Sequence, residues 1–362
     1  MPKSPAARSS HRRLAASEQG DPGNALTELF LPDGERAAEI AATVERRLTE
    51  SIASIVAAMP VAPARSASWR SIDERIRRRG RPRAPIHAAY HELFSAVERD
   101  DVEAACLLLD EIDAAVDRPA GPFAVSWADV GENERQRYLR ALNADPTTPV
   151  AFSAPDDAIA AAAIRIVGEA IEELGRSAPS IAAELGALLT QIVFVGGTAS
   201  SDGRFDGATT FYCWGALFLN AEEHLSLVGM IDGLAHESAH ALLYGMALGG
   251  TLVTNPATER HPSPLRRDLR HLDGIFHATF VSARMHLAHD RMLAGDGLTP
   301  TQQKEAVRSR ATSATAFGTG LRTLRDHARF TPLGRDLIDS AERYMNVAAR
   351  GTPLPAAATV SP

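Results

Sequence analysis

The chain has 362 residues, a formal net charge of −7, and 45% apolar and 23% charged side chains. This is the composition of a globular protein long enough to bury a substantial core. The acidic balance argues against non-specific nucleic-acid binding. No stretch reaches the roughly 18 apolar residues that a membrane helix needs.

Cys106 and Cys213 are the only cysteines, too few for a disulfide framework or a thiolate zinc site, and they suit a reducing cytoplasm. The N-terminal residues are basic but lack the apolar core of a secretory signal. Abundant Ala and Arg with little Lys fit a GC-rich bacterial genome.

Residues 1–25 and 351–362 are small and polar and read as disordered ends. Between them the pattern is mostly helical. Residues 35–59 carry apolar side chains at helical spacing and stop before a Pro-Ala segment. Residues 87–116 read as two helices, residues 131–145 as another, and "PVAFSAP" (149–155) as a short extended piece. The basic run Arg75, Arg77, Arg78, Arg79, Arg81 and Arg83 is either a solvated surface, the usual fate of such runs, or a site for an acidic leader peptide.

Residues 155–189 are helical again. "QIVFVGG" (Gln191–Gly197) reads as a strand and "ATTFYCWGALFLN" (208–220) as a second, expected to pair with it as a hairpin. The expected fold class is mainly α with a small β element (α+β), a zincin-like metal-site helix lying beside a short sheet. A helical N-terminal region is expected over 26–150 and a metal-site region over 151–350.

"AHESAHA" (Ala235–Ala241) contains H-E-x-x-H. The spacing predicts a helix opened by a cap at Asn220 and closed near Tyr244 by Gly245 and Gly249-Gly250, with Leu227, Ile231, Leu234 and Leu242 on its buried side. His236 and His240 stand one turn apart on one face, so their imidazoles can converge on one ion. Imidazole accepts zinc, iron, copper or nickel alike. Glu237, one residue on, is placed to reach a metal-bound water rather than the metal.

Such a five-residue pattern also arises by chance, but eight of the twelve histidines lie between His224 and His289. A third ligand is needed. Leu243 occupies the position where the longer zincin pattern has glycine. The next helix, from about Leu272, carries His277 among Ile275, Phe276, Phe280, Val281 and Met285. A histidine on such a face is usually a core residue; here the incomplete ligand pair favours His277 as the third ligand. Asp273 is a neighbour of the ligand or a rival to it, Arg284 shares the His277 face, and His286 and His289 are expected on the solvated side.

Arg266-Arg267-Asp268-Leu269-Arg270 precedes this helix. It reads as a solvated basic loop or as a carboxylate clamp, since guanidinium matches a carboxylate bidentately.

"LAHESAHALL" followed by "SPLRRDLRHLDGIFHATFVSARM" resembles the bacterial HExxH-motif peptide-modification proteins, the α-ketoglutarate-dependent HExxH-type peptide β-hydroxylases. The likeness covers about 190–290 and carries three elements: H-E-x-x-H, S-P-x-R-x-D-x-R and G-x-x-H-A. It implies an iron(II) site in a zincin-like scaffold, with α-ketoglutarate and dioxygen as cosubstrates and a ribosomally made precursor peptide as substrate. Other peptide-modifying enzymes are then expected as partners. It implies His236, His240 and His277 as iron ligands and Arg266 and Arg270 as the grip on α-ketoglutarate. His271 stands where proline is expected.

Two other classes compete. One is a zinc peptidase with Glu237 as general base. The other is a non-catalytic module that binds a peptide or partner.

Overall fold

The computed structural model describes residues 29–350 except 62, 120, 122, 145–148, 199–204 and 267. Both expected disordered ends and Arg267 lie outside the described residues. The chain is mainly α with a small sheet, and among the described residues no helix is long and apolar enough to cross a membrane.

Five helices come first: α1 (Gly34–Ala58), α2 (Pro63–Trp69), α3 (Ile72–Arg79), α4 (Ala84–Glu98) and α5 (Val102–Val116). The side chain of Asp33 caps α1 by accepting from the Glu35 and Arg36 amides. Its buried stripe of Ala37, Ala41, Val44, Leu48, Ile52 and Val56 spans two cores. The later half of the stripe packs with Trp69, Ile72, Leu93 and Leu109. The basic run lies largely in ion pairs between elements: Arg75 with Asp113 at 2.9 Å, Arg79 with Asp117 at 3.2 Å, Arg81 with Glu45 at 3.5 Å and Arg83 with Glu134 at 3.3 Å.

The sheet follows. β1 (Ala124–Ser126) precedes α6 (Glu132–Leu142), β2 (Ala151–Ser153), α7 (Asp157–Ser177) and α8 (Pro179–Leu188). Next come β3 (Gln191–Thr198), β4 (Gly207–Ala208) and β5 (Ala216–Asn220). The order is β1-β3-β5-β4, with β2 antiparallel to β3. Contrary to the hairpin expectation, β3 and β5 run parallel, with Ile192 opposite Leu217 and Phe194 opposite Leu219. The reason is in the unbroken apolar run. Ile192 and Phe194 join the core beneath the helices, while Val193 and Val195 join a second core with Tyr138 and Phe218. A strand buried on both faces is what a parallel pairing favours.

The motif helix α9 (Leu227–Ala247) starts later than expected. Asn220 remains in β5, opposite Val195, and its side chain accepts from the Glu222 amide. Ser226 is the cap, accepting from the Gly229 amide. The helix also runs through Gly245 and stops at Leu248, which takes a left-handed conformation. Gly245 serves close packing rather than termination: a Cβ there would lie 2.4 Å from Ile40 Cγ2 and 2.5 Å from Trp214 Cη2.

A ribbon of β6 (Arg260–Pro262) and β7 (Leu269–His271) leads into α10 (Leu272–Ala294). His271 caps α10, its Nδ1 accepting from the Gly274 amide at 3.1 Å, so the imidazole supplies the stop-start that proline would give by geometry alone. α11 (Pro300–His327) and α12 (Pro332–Ala349) complete the fold. α9, α11, α12 and α7 all pack on α10. It therefore has no solvated face, which corrects the expectation for His286 and His289. His286 is buried against the Tyr344 hydroxyl at 2.8 Å. His289 is fully buried, with Nε2 3.3 Å from Asp232 Oδ1.

Candidate metal centre

Helices α9 and α10 bring His236, His240 and His277 together. Nε2 of His236 and Nε2 of His240 are 3.2 Å apart, and Nδ1 of His240 is 2.9 Å from Nδ1 of His277. Two imidazole nitrogens bound to one ion at about 2.1 Å would stand about 3.0 to 3.4 Å apart for octahedral to tetrahedral angles. The His236–His240 pair fits that span. His277 meets the other nitrogen of His240. For this reason the three do not surround one point, and no group of three or more His, Cys, Asp or Glu among the described residues is arranged to hold a metal. The donor chemistry fits a metal; the orientation of the third ring does not.

Electrostatics keep the donors available. Burial lowers the pKa of all three imidazoles. For His240 the neighbouring histidines and Arg266 add to this, while Asp206 opposes it at His236 and Asp273 at His277. Neutral rings offer the lone pairs that a cation requires. Burial also pushes the Glu237 carboxyl up to about 8, helped by Asp206 and opposed by Arg266. A cation at the histidines would pull it back down. Glu237 Oε1 lies 3.9 Å from His236 Nε2. Its carboxylate packs on edge strand β4, where a Cβ on Gly207 would come 2.7 Å from Oε1. The edge strand thus lies beside the motif helix, as expected of a zincin-like arrangement.

The two arginines part company. Arg266 is exposed and acts on His236, Glu237 and His240 through its charge. Arg270 is ion-paired with Asp268 at 2.8 Å. Asp273 bears on His277 through its charge, while its Oδ1 accepts from the Leu252 amide at 3.0 Å. Arg284 points away from the histidines to Glu184, 2.5 Å distant and equally buried.

Three neighbours were not read from the sequence. Tyr244 packs on both His240 and His277, with ring centroids 6.3 and 5.1 Å away, and its phenol pKa is raised by burial. It lies one turn beyond His240, so the helical period alone would have placed it on the ligand face. Met285 Sδ is 3.4 Å from His236 Nδ1. Asp206 reaches His224 at 3.3 Å and biases His236 and Glu237. Comparison with known protein families and with curated proteins gives no match.

Proposed function

We propose that this chain is an iron(II)- and α-ketoglutarate-dependent oxygenase that hydroxylates a side chain of a ribosomally made peptide in the bacterial cytoplasm. This is the reaction of the HExxH-type peptide β-hydroxylases that its motifs resemble. The observation that carries the reading is the packing of three neutral imidazoles under the charge of Arg266, which takes no ion pair or hydrogen bond among the described residues. Imidazoles take iron or zinc alike; the arginine favours a reaction with a carboxylate cosubstrate, which it would grip through its planar fork.

His236 and His240 would hold the metal, and His277, which now faces the other nitrogen of His240, would join them as third ligand only after its ring turns. When bound, iron with α-ketoglutarate and dioxygen supplies the oxidant for a C–H bond. The chain's own residues do the rest. Arg266 binds and orients the cosubstrate carboxylate. Arg270, fixed by Asp268, stiffens the ribbon that carries Arg266. Tyr244 and Met285 close the sides of the histidine rings and exclude water.

A zinc peptidase is the second reading, favoured by Glu237 standing between His236 and edge strand β4. Mass spectrometry of a peptide encoded beside this gene separates the two. The oxygenase adds one oxygen only when iron and α-ketoglutarate are both present. A peptide cleaved with zinc alone, and left intact by Glu237→Gln, would replace the proposal with the peptidase.

A further inference from the structure

A cavity walled by aromatic side chains lies outside the histidine cluster. It has a volume of about 400 Å³, within the roughly 300–1,000 Å³ range of ligand pockets. Its walls come from α1, α4, the turn at Phe211–Cys213 and the end of α9. His91 and Tyr212 stack at 3.8 Å to form one wall. Phe94, which packs on Tyr90, and Tyr212 are 43% and 41% exposed, so their rings face the opening of the cavity. Phe211 and Leu248 complete the apolar lining.

Two polar groups in this pocket lack partners. Nε2 of His87 is buried and makes no hydrogen bond, in a side chain of a residue only 5% exposed. Burial and the charge of Arg81 hold this ring neutral, its pKa lowered to about 3. It therefore offers one hydrogen-bonding nitrogen and no charge. Leaving such an atom unpaired is destabilising, and a ligand hydroxyl or indole N–H that displaced the side chains covering it would relieve this. Arg47 also lines the cavity, is exposed, and takes no ion-pair or hydrogen-bond partner among the described residues.

We propose that this cavity binds a tyrosine or tryptophan side chain of an acidic peptide, the ring between Tyr212 and Phe94, its polar atom on His87 and a neighbouring carboxylate on Arg47. Aromatic rings with one polar tip suit such a half-apolar recess, and the free guanidinium selects an acidic neighbour over a basic one. The location suits a peptide-modifying site. The cavity is lined by Leu248 and Gly249, at the end of the helix that carries His236 and His240. The inference rests on the peptide-oxygenase reading only for what the captured peptide is used for.

Calorimetric titration of the full metal-free chain tests it, with capped tripeptides that place tryptophan between two aspartates, tryptophan between two lysines, or alanine between two aspartates. The first should bind saturably and at least tenfold tighter than the other two. Arg47→Glu and Phe94→Ala, both at exposed positions, should each weaken it at least fivefold while leaving the circular dichroism unchanged. No saturable binding, equal binding of the lysine peptide, or equal binding of free indole-3-acetate would overturn the proposal. Because neither iron nor α-ketoglutarate is present, the titration reads the pocket alone; saturable binding here with no hydroxylation by the iron-loaded chain given α-ketoglutarate sinks only the oxygenase reading. Hydroxylation that survives Arg47→Glu and Phe94→Ala at unchanged KM sinks only the pocket.

Discussion

Gly245→Ala tests how the metal helix is seated. In an exposed helix interior, glycine to alanine stabilises by about 0.8–1.0 kcal/mol. Here the new methyl would lie 2.4 Å from Ile40 Cγ2 and 2.5 Å from Trp214 Cη2. Comfortable carbon contacts are about 3.5–4.0 Å, so each neighbour must retreat by roughly 1 Å. Trp214 is 3% exposed and packed against Phe211, and Ile40 belongs to α1. Overpacking of this kind costs about 1–3 kcal/mol, which outweighs the propensity gain.

The net expectation is a loss of up to about 2 kcal/mol, read as a lower denaturant midpoint at unchanged slope. Gly168→Ala on α7 is the control. It is also mid-helix, but its Cβ meets nothing within 4 Å, so it should gain up to about 1 kcal/mol. If Gly245→Ala were stabilised as much as Gly168→Ala, the close approach of α9 to α1 and Trp214 would be wrong.

Arg284→Met should cost about 3–5 kcal/mol by stranding the Glu184 carboxylate, and adding Glu184→Gln should recover much of it in the same denaturation assay. His87 has its pKa lowered by burial to about 3 from an unfolded value near 6.5. The unfolded chain therefore binds the extra proton first, and this contribution, complete above pH 6.5, is lost as pH falls towards 3. His87→Phe should flatten the midpoint-against-pH curve between pH 6.5 and 4, by up to about 1.4 kcal/mol per unit; an unchanged slope would contradict the burial. Arg266→Ala should raise the KM for α-ketoglutarate about 10- to 100-fold, the worth of a charge-assisted pair of about 1.5–3 kcal/mol. Arg270→Ala should change it far less, because Asp268 already occupies that guanidinium.

What could be read in advance followed the range of each signal. The pairing of His236 with His240 is a matter of one helical turn, and it was legible. That His277 approaches the pair was expected because the pair lacked a third member, yet the orientation of its ring depends on how α10 crosses α9. His286 and His289 were misread because what buries them comes from distant parts of the chain: Tyr344 of α12 meets His286, and Asp232 of α9 meets His289. The hairpin expectation failed for a related reason. The run Ile192–Val195 is apolar at every position, which identifies a strand but hides that both faces are covered. Asn220 resembled a helix cap because its side chain does cap a turn, that of Glu222, at the end of β5. Tyr244 needed only the helical period; Asp206 and Met285 needed the tertiary fold.

The most direct test of the account is succinate release by the iron-loaded chain given α-ketoglutarate, dioxygen and the peptide encoded beside its gene. The account predicts one succinate per oxygen atom gained by the peptide, lost in His236→Ala and His240→Ala. Peptide modification or cleavage at full rate with no succinate formed would contradict it.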